Sequence, residues 1–299
     1  MQSVILDTDI GFDVDDVWAL AFLLKCPELD LKLITTNTGD TLYSAMLAAR
    51  LLEVAGRTDI PIGIGIPVDA IEKTHGAWLG DFDLSDYAGV VYEDGVGAMI
   101  NTIEESTELV AIISIGPLTN IASALGRRPS ITEKSRMIGM HGSIHRGYLG
   151  IEKPMREYNV MTHTAACQKV FSTPWNISIT PLDTCGVVSM RDENFQLVKN
   201  SDSSLAKAVI DNHVGWFEAV KDWKGMDRFD PSIQSSILYD TVAVYMAFSE
   251  DLLDIQSLPV KVLDDGTTVV HEAAQSVRCA LEWKDLAAFE RLVAERLAV

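Results

Sequence analysis

The sequence predicts an α/β fold: an open, mostly parallel, Rossmann-like central sheet flanked by helices, forming one domain over residues 1–299. Three observations predict it. Short runs rich in Val and Ile alternate with longer Ala/Leu-rich segments of helical period through most of the chain. Some of the short runs, "ELVAIISIG" above all, are apolar without alternation, as strands are when helices cover both faces of a parallel sheet. No Gly/Ser/Pro linker, low-complexity tract or internal repeat divides the chain.

The elements follow in order. "SVILDT" reads as a first strand and "DDVWALAFLLKC" as a helix stopped by Pro27. "LKLITTN" is a strand, and "TLYSAMLAARLLEVAG" a helix with Gly56 just past its end. "IPIGIG" and "ELVAIISIG" are strands, and "PLTNIASALGRRP" opens a helix with Pro117 near its first turn. "RMIGMHG" and "NISITPLD" read as further strands. After Asp192 the period lengthens into two helices, "SSLAKAVIDNHVGWFEAVKDW" and "SIQSSILYDTVAVYMAFS". A β-rich stretch, "LPVKVLDDGTTVVHEAAQSVRCAL", and a last helix, "WKDLAAFERLVAERLA", close the chain.

Composition narrows the function. With 47% hydrophobic residues and six Trp in 299 residues, a large core is available. A net charge of −19 excludes a nucleic-acid partner, which demands a basic face, and disfavours an anionic membrane surface. The longest early apolar run, "VWALAFLL", is too short to span a bilayer, and "MQSVILDTD" enters the first strand with no signal peptide before it. Cys26, Cys167, Cys185 and Cys279 are scattered, with no C-x-x-C pair. They read as small buried apolar residues in a reducing cytoplasm.

The chemistry concentrates in "VILDTDIGFDVDDVWAL", which holds Asp7, Asp9, Asp13, Asp15 and Asp16. In an open α/β sheet, ligands bind beyond the carboxyl ends of the strands, which is where Asp7 and Asp9 fall. Asp15 and Asp16 fall in the first turn of the next helix, where the helix dipole alone would account for them. Asp7 and Asp9, ending an apolar strand, have no such account. Carboxylates converging in a half-buried site need a cation or a shared proton. With no His or Cys among them, the donor set is all oxygen, which selects Ca²⁺ or Mg²⁺ over zinc.

"LDTDIGFDVDDVWALAF" resembles the opening D-x-D-x-G-x-D-D motif of the calcium-dependent, inosine–uridine type nucleoside hydrolases, with two residues inserted between Gly11 and the Asp15–Asp16 pair. "ITTNTGD", "ISIGPLTNIASAL", "REYNVMTHTAACQKVF" with "ISITPLDTC", and "ILYDTVAVYMAF" agree in order and spacing, so the resemblance runs to about residue 248. It implies a nucleoside hydrolase fold, salvage-type hydrolysis of a ribonucleoside's N-glycosidic bond, one Ca²⁺ per subunit and a homo-oligomer, dimer or tetramer. By resemblance, Asp9 is the base that takes a proton from a calcium-held water. Asp7, Asp9, Asp16, Asp240 and the backbone carbonyl of Thr119 are the metal ligands. Asp15, Asp40, Glu157 and Asn159 bind the sugar.

Three positions depart from the family pattern. Asp40 stands for a sugar-binding Asn, Ile151 for another Asn, and Tyr239 for the His that protonates the leaving base. Tyr239 is therefore the catalytic candidate at the leaving group. Trp78, in "THGAWLGDFD", either stacks on the base or anchors its loop, and His75 either contacts the base or orders the turn before Gly76. His141 is a further cleft candidate, whereas His213 and His271 read as peripheral, and Trp216, Trp223 and Tyr158 as core or cleft wall. Asp13 lies in the insertion and is expected to be solvated, without a role. Two alternatives stay open at this point. One is a non-catalytic or unusual-substrate ribosyl-binding homologue. The other is a Mg²⁺-dependent haloacid-dehalogenase-like phosphatase, whose later Ser/Thr, Lys and acidic pair are not evident here.

Overall fold

The structure, a computed structural model, describes residues 1–68 and 70–299. Ten strands form one sheet: β1 (Gln2–Thr8), β2 (Leu29–Thr36), β3 (Ile62–Ile64), β4 (Val91–Tyr92), β5 (Val110–Ser114), β6 (Ser135–Gly139), β7 (Ile177–Ile179), β8 (Leu253–Val262), β9 (Thr268–Val270) and β10 (Ser276–Trp283). Their spatial order is β4-β3-β2-β1-β5-β6-β7-β10-β8-β9. Every pair from β4 through to β10 is parallel, and only β8 and β9 run antiparallel to their neighbours.

The central strands are buried on both faces, which explains their continuous apolar reading. In β1, Val4 and Leu6 enter one core while Ile5 enters the other. In β5, Ala111 and Ile113 face the first core, Val110 and Ile112 the second. The alternation is the two-residue period of a strand with a hydrophobic layer on each side. Strand order turns about between β1 and β5: the chain builds outward from β1 to β4, then restarts on β1's other edge. The carboxyl ends of those two strands therefore open onto a crevice, the usual ligand position in such sheets.

Two expectations need correction. "SIQSSILYDTVAVYMAFS" is helical only over Thr241–Met246. Its first half is extended against residues 188–191: Ser235 N donates to Met190 O, Met190 N to the Ser235 hydroxyl, and Leu238 N to Val188 O. Serine side chains compete for backbone partners and so favour such local pairings over a helix. Asp240 consequently sits at a helix start rather than within one. The strand in "RMIGMHG" ends at Gly139, and the following residues form a loop at the sheet's carboxyl edge. Helices at Gly95–Glu105, Thr164–Ser172 and Asp192–Lys199 cover ground that the sequence pattern left unassigned. Among the described residues no helix is long and apolar enough to cross a membrane.

Candidate active site

Strand β1 delivers two aspartates with different fates. Asp7 is buried inside the sheet edge and its oxygens are already taken. Oδ1 accepts from Thr35 Oγ1 (2.6 Å) and Asn120 Nδ2 (2.8 Å), and Oδ2 from Asn37 Nδ2 (2.9 Å). Burial pushes its pKa up to about 6 against these three donors. It does not line the cleft. The expected role of metal ligand is withdrawn: Asp7 is a strut joining β1, β2 and the helix Thr119–Arg127.

Asp9, two residues on, faces a cleft of about 220 Å³. The helix Asp15–Leu24 brings Asp15 and Asp16 to the same wall, and Asp240 arrives from the start of the helix Thr241–Met246. All four are buried. One oxygen each from Asp15, Asp16 and Asp240 fall within 4.8 Å of one another. Asp16 Oδ1 also accepts from the Thr8 hydroxyl, which fixes its rotamer. Gly116, after β5, makes room for this wall: a Cβ there would stand 2.7 Å from Asp9 Oδ1. Gly11, at φ +132°, holds a backbone conformation that other residues rarely adopt.

The electrostatics follow from burial without countercharge, since among the described residues no Lys or Arg lines the cleft. Asp9 and Asp15 are driven well above the ordinary carboxylate range, first by burial and then by Asp16 and Asp13 respectively. Burial, then the charge of Asp15, does the same to Asp240. Burial lifts Asp16 to about 7 against the Thr8 hydrogen bond, and Asp13 to about 6. Such a group must hold protons or a cation at neutral pH. Its donors are all oxygens, so a hard divalent ion fits it and zinc does not.

Glu157 and Asn159 also line the cleft. Glu157 caps the helix Tyr158–Thr162: Oε1 accepts from Asn159 N (2.6 Å), and Oε2 from Val160 N (3.1 Å) and Gly142 N (3.0 Å). Burial raises it to about 7. Asn159 Nδ2 donates to Ile115 O (3.2 Å) and Met140 O (3.1 Å), bridging the ends of β5 and β6. Aromatic rings close the rest: Phe12 stacks on Tyr158 (5.7 Å, 18°), and Tyr148 meets Tyr239 edge-on (5.9 Å, 84°).

Four further expected residues stay outside the cleft. Thr119 begins its helix away from the pocket, and the cleft-lining residue of that loop is Ile115. Asp40 caps the helix Thr41–Val54 through Tyr43 N and pairs with Lys73 at 2.6 Å, an exposed ion pair that consumes its carboxylate. Trp78 packs against the core beneath the Arg50 guanidinium (4.9 Å), so it anchors its loop rather than stacking on a base. His75 is buried, with Nδ1 3.0 Å from the Asn212 amide and Nε2 2.9 Å from Asp13 O. Burial depresses it to about 4, so the ring is neutral. Asp13's carbonyl and Asn212 Oδ1 both only accept, so the one hydrogen of the neutral ring serves one of them; placed on Nε2, with the Asn212 amide turned to offer its Nδ2 to Nδ1, it lets His75 brace the insertion.

The insertion is the residue pair that sequence reasoning missed. Thr74 Oγ1 (2.7 Å) and Trp216 Nε1 (2.9 Å) hold the Phe12 carbonyl while His75 holds that of Asp13. Both side chains line the cleft, so Asp13 is not a free solvated acid. Tyr148 was missed too; its signal was its place in a loop just after a strand's carboxyl end. His141 is buried with Nε2 3.1 Å from Gly116 O and is not among the residues lining the cleft, and His213 is fully buried rather than peripheral.

A family model described as inosine-uridine preferring nucleoside hydrolase matches residues 4–291. The chain belongs to that family. Family members hydrolyse N-glycosyl bonds, and this one is such an enzyme; the phosphatase alternative falls. The probable uridine nucleosidase 2 of Arabidopsis thaliana is 25% identical over 95% of this chain and 90% of its own length. The pyrimidine-specific ribonucleoside hydrolase RihA of Escherichia coli O127:H6 is 30% identical over 70% of each. A solved plant nucleoside hydrolase, the PpNRh1 enzyme, shares the fold at a TM-score of 0.83 and 24% identity, covering 100% of this chain and 99% of that one.

Proposed function

We propose that this hydrolase cleaves ribonucleosides to free base and ribose with Asp9 as general base, around one Ca²⁺ held by Asp9, Asp16 and Asp240 with the Ile115 carbonyl beside them. The observation that carries the reading is the convergence of Asp9, Asp15, Asp16 and Asp240 at the β1/β5 turnabout, in a cleft lined by no Lys or Arg among the described residues. When bound, the ion lowers the pKa of a water molecule and fixes its position. Asp9, its affinity for protons raised by burial, takes the proton from the attacking water. Bond cleavage builds positive charge on the sugar ring, and the surrounding carboxylates stabilise it as it develops. Asp15, Glu157 and Asn159 receive the ribose hydroxyls, so a 2′-deoxy substrate leaves buried polar groups unpaired.

The four cysteines are all free and buried, which supports action in a reducing cytoplasm, with a part in nucleoside salvage. A single domain assembled as a dimer or tetramer completes the reading. The test is release of reducing sugar from uridine, inosine and p-nitrophenyl riboside by the calcium-loaded protein. The names of the curated relatives make uridine the first substrate to assay. Turnover of at least one riboside is expected. Inertness toward all three would replace this reading with that of a ribosyl-binding homologue.

A further inference from the structure

The nucleobase that departs from a riboside carries off the bonding electrons, and a ring of carboxylates does nothing to stabilise it. The cleft must therefore supply a hydrogen-bond donor on its other side. Among the described residues lining it, the side-chain donors are Asn159, Tyr148, Tyr158 and Tyr239. The Asn159 amide is spent on Ile115 O and Met140 O, which leaves three phenols. Of these, Tyr158 has its ring stacked on Phe12 and its oxygen met by the Thr162 side chain rather than by a backbone donor.

We propose that Tyr148 is the residue that hydrogen-bonds the leaving nucleobase, with Tyr239 as the wall that orients it; this rests on the nucleoside hydrolysis proposed above. Three features single out Tyr148. Its Oη accepts a hydrogen bond from Tyr158 N at 2.9 Å, the backbone N–H at the start of a helix. That bond fills an oxygen lone pair and leaves the hydroxyl hydrogen free to turn into the cleft. A donor arriving at the oxygen also polarises the O–H outward and strengthens what it gives.

The second feature is a fixed backbone. Tyr148 precedes Leu149 and Gly150, both in the left-handed region at φ +59° and +72°. Gly147 N closes the turn on Ile151 O at 2.8 Å. The phenol is thus placed before substrate arrives, the condition under which one donor is worth most. The third is the contrast with Tyr239: the Tyr148 ring meets it edge-on at 5.9 Å, but among the described residues no hydrogen bond orients the Tyr239 hydroxyl. The sequence expectation placed the leaving-group role on Tyr239 because of its position beside Asp240; the geometry moves it to Tyr148.

The step balances without a proton leaving the tyrosine. The C–N bond breaks, and its electron pair passes to the base nitrogen and spreads onto a ring carbonyl oxygen. Tyr148 Oη–H bonds to that oxygen and keeps its hydrogen. The water oxygen bonds to the sugar carbon, its proton passes to Asp9, and the base collects a proton from solvent as it leaves.

The test compares Tyr148→Phe with the wild type on uridine and on p-nitrophenyl riboside. The nitrophenolate is stable without assistance, so it has little need of the donor. Tyr148→Phe is expected to lower kcat on uridine by about 10- to 100-fold with little change in KM, and on the nitrophenyl riboside by less than about threefold. A series of phenyl ribosides of graded leaving-group acidity should show a steeper dependence in Tyr148→Phe than in the wild type. Equal losses on both substrates, or no loss on uridine, overturn the proposal. If Tyr148→Phe does not fold, 3-fluorotyrosine at position 148 replaces it: a stronger donor should change the uridine rate alone, and an unchanged ratio of the two rates overturns the proposal. A wild type inert toward both ribosides brings down the hydrolytic reading and this proposal together. A wild type active on both, with Tyr148→Phe unaffected, brings down only the tyrosine.

Discussion

With calcium held as proposed, protons and the cation compete for the same carboxylates, so the stability calcium would add depends on pH in a direction set by the burial of those groups. Asp16 is raised from 3.8 to about 7 by burial. Its folded pKa lies above its unfolded one, so its protonation stabilises the metal-free fold fully below about pH 4. That contribution is lost as pH rises through about 7. At pH 5, two units below that value, displacing the Asp16 proton alone weakens the apparent calcium affinity about 100-fold relative to pH 8. At fixed calcium this is about 3 kcal/mol of stabilisation, or about 5 °C in Tm for a chain of this size. Asp9, Asp15 and Asp240 act in the same direction. The buried His75, His141 and His213, each depressed to about 4, add an opposing slope below pH 6.5, but they are present with and without calcium and cancel in the difference. The assay is thermal melting of chelator-dialysed protein at pH 5 and pH 8, with and without calcium. A calcium shift at pH 8 exceeding that at pH 5 by about 5 °C or more is expected. An equal shift at both values refutes the reasoning.

Two substitutions test the corrected roles. Asp7→Ala strands the Thr35, Asn37 and Asn120 donors in a dry site and should cost about 4 kcal/mol in denaturant unfolding. Calcium affinity should survive; a stable Asp7→Ala that no longer binds calcium would restore Asp7 as a ligand. His75→Ala removes the support of the Asp13 carbonyl and should raise KM for uridine several-fold while destabilising the fold by about 2 kcal/mol. An unchanged KM would separate the insertion from substrate binding.

Much of the fold was legible because one physical signal dominated it. Strands buried on both faces read as continuous apolar runs, and their alternation with helical periods marked the parallel sheet. "SIQSSILYDTVAVYMAFS" was misread because its apolar spacing is helical while Ser235 bonds the backbone of Met190 through both its N–H and its hydroxyl. At the site, Asp9, Asp15, Asp16, Glu157, Asn159, Tyr239 and Asp240 converge as the spacing and the resemblance implied. Asp7, Asp40, His75, Trp78 and Thr119 do not, because a motif gives position along the chain and not the direction of a side chain. Asp7 and Asp9 differ by two residues, yet only one faces the cleft. Asp13 and Phe12 were passed over because an insertion has no counterpart in the motif, whereas Thr74, His75 and Trp216 hold both in place.

Cation-dependent hydrolysis of a ribosyl bond with Asp9 as the base is tested by the rate of ribose release from uridine by wild type and Asp9→Asn, each chelator-dialysed and then restored with calcium. The dialysed wild type is expected to be inactive and to recover with calcium. Asp9→Asn should stay at least about 1,000-fold slower with calcium restored, while melting no lower than the wild type, since a buried like charge has been removed. Full activity after dialysis, or an Asp9→Asn rate close to the wild type's, would contradict it.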